Sequence, residues 1–353
     1  MRNAWPVAFL VLVTPCVEFL TGSTSFGAAV TTVSAGFTFF ILTWPSYALP
    51  VLLIREAIVA WNKWVASLLA LGIAYGALNE GLLAKTYFVV TPTSPVLGPG
   101  AGVGRWLGVN WPWMTDITLF HMVVSISVPV VLSFLIFPET RHERFLSDRT
   151  IRLFVVLILV EVLGILTVQS LFSTAYRSLL PWILLPAGIV VVGIYIARRL
   201  PASDPKRTLG GPLSRPVPLI LVSLGFFVVT FLPILRFFAV AFVPISALGA
   251  LFYQWVPGAG VVATLYPLVL AFLVIRFFAR TTWTDTQLLA ALTGVMLIPL
   301  ANAISVHDIP QGDWVAAGIY VASIVVAARR IRARGSTSPF NTPGPNPPSA
   351  LPK

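Results

Sequence analysis

Runs of about 20 apolar residues, joined by short connections, recur along nearly the whole chain and are its most constraining feature. A helix of that length crosses the hydrocarbon core of a bilayer. Because backbone polar groups find no partners in lipid, such a chain folds as a bundle of membrane-spanning helices. Only 10% of the residues are charged and the mean hydropathy is +0.90, so no separate soluble domain is expected.

The apolar windows predict ten spans and therefore an all-α, polytopic transmembrane bundle. The predicted spans are 5–19, 37–54, 64–84, 113–137, 153–172, 179–197, 217–234, 261–278, 288–303 and 315–328. An eleventh window, 237–256, is apolar enough to span, so ten and eleven spans remain alternatives. The predicted helical domain covers 1–334, with the candidate site in 1–150. The Pro-rich segment 335–353 is predicted to be a disordered cytoplasmic tail.

Basic residues between the apolar runs predict the orientation of the bundle. The clusters lie at 138–152, 198–215, 276–280 and 329–334. With ten spans, all of them fall on the same side as Arg2, and basic loops remain preferentially in the cytoplasm. We therefore predict a cell-membrane protein with both termini cytoplasmic, and a surface-lying or re-entrant segment at 237–256. The net charge of +11 follows from these loops, so the lipid bilayer is the expected partner and nucleic acid is not.

Ionisable side chains inside the predicted spans are the first candidates for chemistry. A charged residue at the centre of a membrane helix costs about 2.5–3.5 kcal/mol on insertion scales. Glu18 and Glu80 lie near the outer ends of the first and third predicted helices, and His121 lies about two turns below the outer end of the fourth. These three residues share one depth in the outer half of the membrane, so we expect them to converge.

Residue spacing on two helices favours a contact between Glu80 and His121. Gly72, Gly76 and Glu80 recur every four residues, which lets a neighbouring helix approach closely beside the carboxylate. His121 and Ser125 are likewise one turn apart. A carboxylate and an imidazole that face each other in a low-dielectric pocket could hold a water molecule, with the glutamate as general base.

Further polar residues near this pair are candidates for supporting roles. They are Glu18, Asn79, Lys85, Arg105, Asn110 and Ser125. The Gly- and Trp-rich segment 102–113 is predicted to lie in the headgroup layer, either as a lid over the site or as an interfacial belt without a catalytic role. A structural alternative for the pair itself is that Glu80 binds Lys85 or Arg105 while His121 donates to a backbone carbonyl.

Two other groups of ionisable residues are weaker candidates for a catalytic or proton-transfer role. Arg55 and Glu56 end the second predicted helix and are neighbours in sequence, so we expect no ion pair across one helix face and an anchoring role at the membrane surface. Glu161 lies midway along the fifth predicted helix, with Arg236 as a candidate partner. A proton relay is the functional interpretation of Glu161.

The first 150 residues resemble a family of uncharacterised prokaryotic multi-pass membrane proteins. The resemblance is carried by EFLTGSTS (18–25), LLIREAIVAW (52–61), GIAYGALNEGLLAK (72–85), GRWLGVNWPW (104–113) and FHMVVSISVP (120–129). It implies a multi-pass membrane protein and brings no known activity.

The same region more distantly resembles the CAAX-protease and bacteriocin-processing family of intramembrane proteases. Members of that family carry an EExxxR motif on one helix and FxxxH on the next. In this chain Asn79 stands at the first glutamate position, Lys85 falls one position after the arginine position, and Ile117 replaces the phenylalanine. On this resemblance Glu80 matches the glutamate that activates water, and His121 matches the histidine that holds the water or the oxyanion.

Three functions remain open from the sequence. The first is a membrane-embedded hydrolase, a peptidase acting on a membrane peptide, with Glu80 and His121 as catalytic residues. The second is a proton-coupled transporter or permease for a small solute, and the third is a non-catalytic assembly or partner protein. The absence of a recognisable internal repeat counts against transport, and the substituted motif counts against hydrolysis. Two candidate ligands are too few to predict a metal ion, although Glu18 could add a third, and the sequence leaves metal and cofactor unknown.

Overall fold

The computed structural model is a bundle of helices. It describes residues 4–21, 26–88, 105–172, 180–202, 220–228, 259–281, 283–305 and 312–334. Within these residues the only strands are Arg105–Trp106 and Val109–Asn110, each of two residues. The predicted all-α class is therefore confirmed.

The N-terminal half contains several short helices and three long continuous ones. Its α-helices are Ala4–Val13, Val17–Thr21, Phe26–Thr31, Val33–Phe37, Trp44–Ala60, Val65–Gly76, Trp111–Phe120 and Val128–Ile136. Its π-helical turns are Thr38–Thr43, Ala77–Leu83 and His121–Ser127, and its 3₁₀ turns are Thr14–Cys16 and Pro138–Thr140. Since the π-turns continue their neighbouring helices, Val33–Ala60, Val65–Leu83 and Trp111–Ile136 are continuous. We call Val65–Leu83 the glutamate helix and Trp111–Ile136 the histidine helix.

Further helices follow along the chain, and five of them have 20 residues or more. They are Asp148–Phe172, Leu180–Arg199, 220–228, Ala259–Arg280, Asp285–Ser305 and Gly312–Arg334. Each of the ten predicted windows falls on helical residues, although 217–234 is described only over 220–228. The window 237–256 and the tail 335–353 lie outside the described residues. By length and composition, six helices in the described part of the chain could cross a membrane, which supports a membrane bundle.

The glutamate and histidine helices form the centre of the bundle. In the most apolar 18-residue stretch of each, 89% and 83% of the residues are buried, whereas the corresponding fractions in the apolar segments Asp148–Val168 and Pro181–Arg199 are only 11% and 17%. Segments of such low polarity are stable with exposed surfaces only where the surroundings are apolar. The two outer helices therefore face lipid, and the ionisable residues of the central helices are shielded from it.

Two glycines allow the central helices to touch backbone to backbone. A Cβ atom on Gly72 would lie 2.7 Å from the Cα and carbonyl oxygen of Met122, and one on Gly76 would lie 3.0 Å from the Cα of Thr118. The distance at Gly72 leaves no room for a methyl group, and at Gly76 the neighbouring backbone would have to give by a few tenths of an ångström, so the two glycines permit this close approach. The close contact predicted from the four-residue spacing is confirmed.

The expectation for Arg55 and Glu56 is wrong. They form an ion pair, with Arg55 Nη1 2.7 Å from Glu56 Oε1, and their side chains are 0% and 2% exposed, so they are no surface anchor. The pair forms because both side chains turn toward the same loop beyond the helix, 140–146. Arg55 also donates to the carbonyl oxygens of Thr140 at 2.6 Å and Glu143 at 2.5 Å. We call Arg55, Glu56 and 140–146 the loop clamp.

The glutamate of the loop clamp holds the same loop from its other side. Glu56 accepts hydrogen bonds from the backbone N–H groups of Phe145 at 3.0 Å and Leu146 at 3.3 Å. The Phe145 ring lies 3.4 Å from the Arg55 guanidinium carbon, in a cation–π contact. The two charges thus fix the path of the chain where it leaves the histidine helix.

Candidate functional site

Two π-helical turns carry the candidate residues to the centre of the bundle. Ala77–Leu83 ends the glutamate helix, and His121–Ser127 interrupts the histidine helix. Such wider turns change the direction of side chains and occur often at functional sites. Pro129 follows the second turn and has no N–H group. Even a regular α-helix would therefore lack the backbone hydrogen bond from residue 129 to the carbonyl oxygen of Ser125.

Glu80 and His121 are in direct contact. Glu80 Oε1 lies 2.7 Å from His121 Nε2, and the two residues are 8% and 1% exposed. The other carboxylate oxygen, Oε2, accepts a hydrogen bond from the Thr86 hydroxyl, which in turn accepts one from the Trp113 indole N–H at 3.0 Å. The convergence expected from depth and helix faces is confirmed for this pair, and both carboxylate oxygens are held.

Hydrogen bonds fix the orientation of the imidazole ring. His121 Nδ1 lies 2.8 Å from Ser125 Oγ, one turn along the same helix. Because a carboxylate only accepts, Nε2–H donates to Glu80, and in the neutral ring Nδ1 then accepts from the Ser125 hydroxyl; this assignment of protons follows from the bonding pattern. Tyr75 packs edge-to-face against the ring, with the centroids 5.5 Å apart. The ring is thereby held toward the carboxylate.

A second carboxylate is connected to the pair through polar side chains. The Tyr47 hydroxyl donates to Glu18 Oε1 and accepts from Asn79 Nδ2 at 3.2 Å. Asn79 Nδ2 also lies 3.4 Å from His121 Nε2. Glu18 is therefore hydrogen-bonded through Tyr47 to Asn79, and the Asn79 amide lies beside His121; because Nδ2 and Nε2–H are both donors, this last approach is a contact and not a hydrogen bond. We call this set the polar network; its members are Glu18, Tyr47, Asn79, Glu80, Thr86, His121 and Ser125.

Glu18 does not complete a metal site in the part of the chain that the structure describes. There, no three His, Cys, Asp or Glu side chains lie close enough together to hold a metal ion. A ligand set for a transition metal needs at least three such side chains.

Sequence reasoning missed three residues whose side chains form hydrogen bonds at the candidate site. Tyr47 and Trp113 lie in or beside predicted spans, and Thr86 lies in the connection that follows the glutamate helix. The sequence could have indicated Tyr47, because its hydroxyl lies within an apolar run and a buried tyrosine hydroxyl requires a hydrogen-bond partner. Thr86 gave no local signal, since its approach to Glu80 depends on how the chain turns after the helix.

Arg105 and Asn110 hold a hairpin beside the site. Arg105 Nη1 donates to the carbonyl oxygens of Phe88 at 3.0 Å and Gly108 at 2.8 Å. Asn110 caps the histidine helix, with its Oδ1 accepting from the Trp113 N–H at 3.2 Å. Gly108 has a φ of 78°, and a Cβ there would lie 2.6 Å from the Trp182 ring. The predicted role of this segment as a lid stays a prediction.

The partners that the structural alternative gave to Glu80 and His121 are not the observed ones. Across the described residues, Glu80 is bonded to His121 and Thr86, and neither Lys85 nor Arg105 is ion-paired with it. Lys85 is buried just past the end of the glutamate helix, with a φ of 57°. A supporting role for Lys85 stays a prediction.

The segment after the glutamate helix is fixed to the histidine helix by Tyr87. Its hydroxyl lies 2.5 Å from Thr118 Oγ1, which donates in turn to the carbonyl oxygen of Met114 at 2.6 Å. Burial raises the pKa of the Tyr87 hydroxyl well above its ordinary value, so this hydroxyl stays protonated and donates to Thr118. The contact fixes the position of Thr86, the neighbour of Tyr87 in sequence.

Glu161 is separate from the polar network. Its Oε1 is buried and has no hydrogen-bond partner among the residues that the structure describes. Its candidate partner, Arg236, lies outside them. The proton relay at Glu161 therefore stays a prediction.

The fold and the site define a multi-helix membrane protein with a buried glutamate–histidine pair at its centre. The model of an uncharacterized membrane protein family matches residues 7–334, which is nearly the whole chain. The chain belongs to this family, so the family extends well past the first 150 residues. No curated protein and no solved structure matches the chain.

Proposed function

We propose that this protein is a membrane-embedded hydrolase that cleaves an amide bond of a membrane peptide, with Glu80 as general base. The observation that carries the proposal is the contact of 2.7 Å between Glu80 Oε1 and His121 Nε2 in the most buried part of the bundle. A carboxylate beside an imidazole can accept a proton from water and return it later. In a low-dielectric site, such charge interactions are stronger than they are in water.

In the proposed reaction, the oxygen of a water molecule attacks the carbonyl carbon of the peptide bond while Glu80 accepts one proton of that water. The new C–O bond forms, and the electron pair of the carbonyl moves onto its oxygen. When the C–N bond breaks, the carbonyl re-forms and Glu80 transfers its proton to the leaving amine. Glu80 ends as it began, and one water molecule is consumed.

Two N–H donors beside Glu80 are suited to stabilise the oxyanion. His121 Nε2 and Asn79 Nδ2 lie 3.4 Å apart. In the resting arrangement His121 donates to Glu80; in the reaction, the substrate oxygen replaces the carboxylate as the acceptor. Preorganised donors of this kind contribute about 3–4 kcal/mol each to catalysis of acyl transfer.

The experiment compares new peptide N-termini in membranes from cells that contain the wild-type protein or Glu80→Gln, and identifies them by mass spectrometry. We expect cleavage products that are present with the wild type and reduced at least 100-fold by the substitution, since general bases contribute about 10²–10⁴-fold. Glu161→Gln is the matched control, because it neutralises another intramembrane glutamate outside the polar network. Equal sets of N-termini for the wild type and Glu80→Gln would overturn the proposal.

A second candidate function is proton-coupled transport, which one specific observation favours. The chain from Glu18 through Tyr47, Asn79 and His121 to Glu80 connects two carboxylates by polar contacts. Carboxylate and histidine chains of this kind carry protons in transporters. Tyr47→Phe interrupts the chain and leaves the contact between Glu80 and His121 intact. If Tyr47→Phe abolishes proton flux into proteoliposomes and leaves peptide cleavage unchanged, the function of this series of polar contacts is proton transport.

A further inference from the structure

An apolar groove opens between three helices, away from the polar network. The glutamate helix contributes Ala70 and Ile73 to its wall, Leu180–Arg199 contributes most of the remainder, and Ala259–Arg280 contributes Ile275. The groove has a volume of about 410 Å³ and an almost wholly apolar lining. It differs from an ordinary lipid-facing surface because it is concave and bounded on three sides.

The length of the groove fits one acyl chain. Its lining along one helix runs from Leu184 to Ile196, a rise of about 18 Å. One leaflet of a bilayer has a hydrocarbon depth of about 15 Å, half of the core. Gly188 lies within this stretch, and a Cβ there would have no atom of the described residues within 4 Å. The space beside Gly188 is thus open to a chain from the bilayer.

One end of the groove is basic. Arg199 lies one turn beyond Ile196 on the same helix, and Arg276 is the residue after Ile275; both isoleucines line the groove, so each arginine is within one helical turn of a lining residue along its own helix. Both arginines are exposed, and neither is ion-paired with a carboxylate of the described residues. Lys63, two residues before the glutamate helix, is at the same end and donates to the carbonyl oxygen of Leu200.

We propose that this groove is a binding site for an anionic phospholipid of the bilayer. One acyl chain fills the apolar groove, and the phosphate lies between Arg199 and Arg276. Guanidinium groups bind phosphate in two-point hydrogen bonds, and basic pockets between membrane helices bind anionic headgroups. The basic end is on the side that the distribution of basic loops predicts to be cytoplasmic, where anionic lipids attract such residues.

The test of the acyl-chain site uses purified full-length protein and native mass spectrometry. Phosphatidylglycerol and phosphatidylcholine with identical acyl chains are added in equal amounts, and the lipids retained by the protein are counted. We expect preferential retention of phosphatidylglycerol, with the preference on the order of tenfold. Gly188→Leu places a side chain in the groove, at a position where a Cβ atom meets no described atom within 4 Å, and it should abolish this retention. Gly164→Leu is the matched control, because the space at Gly164 is equally open and lies on a helix outside the groove.

The test of the headgroup site neutralises the basic end. The double variant Arg199→Gln, Arg276→Gln should still retain lipid, but it should retain phosphatidylglycerol and phosphatidylcholine in equal amounts. Arg152→Gln removes an exposed arginine from a helix that does not line the groove and should change nothing. Equal retention of the two lipids by the wild type would overturn the proposal, and so would equal effects of Gly188→Leu and Gly164→Leu. Neither outcome bears on hydrolysis, because no residue of the polar network is changed.

Discussion

Two buried carboxylates in this bundle have different partners. Glu56 lies 2.7 Å from the Arg55 guanidinium and accepts from two backbone N–H groups of the loop clamp. Glu80 lies 2.7 Å from the His121 imidazole and accepts from a threonine hydroxyl. An arginine is a permanent cation, whereas an imidazole exchanges protons near neutral pH. The ion pair of Glu56 is suited to hold a loop, and the contact of Glu80 with an imidazole is suited to proton transfer. Burial alone therefore does not identify a functional carboxylate.

The largest expected effect is on stability, at the loop clamp. Arg55→Met removes one partner of a buried ion pair and leaves the Glu56 charge without its cation. We expect a loss of about 3–5 kcal/mol in the free energy of unfolding, measured by denaturant titration in detergent micelles. Arg144→Met is the control in the same loop, because Arg144 is 43% exposed and lies 3.8 Å from Glu56; its expected cost is about 0–1 kcal/mol. Equal costs for both variants would show that the clamp is not structural.

The second effect concerns the contact between the central helices. Gly72→Ala places a methyl group 2.7 Å from the Met122 backbone, which cannot move without shifting the histidine helix. We expect a loss of about 1–3 kcal/mol in the free energy of unfolding, together with a loss of peptide cleavage. Gly164→Ala adds the same methyl group where no atom of the described part of the chain lies within 4 Å, and it should change the free energy by about 1 kcal/mol or less, in the stabilising direction. An unchanged unfolding curve for Gly72→Ala would contradict the close packing.

A smaller effect is expected at the imidazole. Ser125→Ala removes the hydroxyl that is bonded to His121 Nδ1 and leaves that nitrogen buried without a partner. The expected cost is about 1 kcal/mol in the free energy of unfolding, with roughly tenfold slower cleavage because the ring is less well held. Ser133→Ala serves as the control, since Ser133 bonds only to a carbonyl within its own helix. If cleavage slows equally in Ser125→Ala and Ser133→Ala, Ser125 has no specific role at the site.

The smallest effect on stability is expected at Glu80. Glu80→Gln has nearly the same shape, and its carbonyl oxygen can still accept from His121 Nε2–H. We expect a change of less than about 1 kcal/mol in the free energy of unfolding, in contrast to Arg55→Met. A loss as large as that of Arg55→Met, measured by the same titration, would make Glu80 a structural residue like those of the loop clamp.

The helices of the bundle were predictable because the bilayer imposes a simple rule on the sequence. In its described part, each of the ten apolar windows falls mainly on helical residues. The contact between Glu80 and His121 was also predictable, since depth in the membrane and the glycine spacing both constrain which helix faces meet. These signals are local, or they depend only on the position of a residue along its own helix.

The remaining contacts depend on chain paths that no local pattern encodes. Tyr47 reaches Glu18 and Asn79 only because of the rotation of its helix within the bundle. The pairing of Arg55 with Glu56 depends on a loop nearly 90 residues later in the chain, which draws both side chains in one direction. Adjacent residues in a regular helix do not face each other, so the sequence indicated the opposite.

The most direct test of the central claim is a double-mutant cycle on the rate at which the cleavage products form. The four proteins are the wild type, Glu80→Gln, His121→Gln and the double variant, all measured in the same membranes. If the two residues act as one unit, each single variant loses most of the activity and the double variant loses little more. Losses that multiply in the double variant would mean that Glu80 and His121 act independently, and they would contradict a shared catalytic role for the pair.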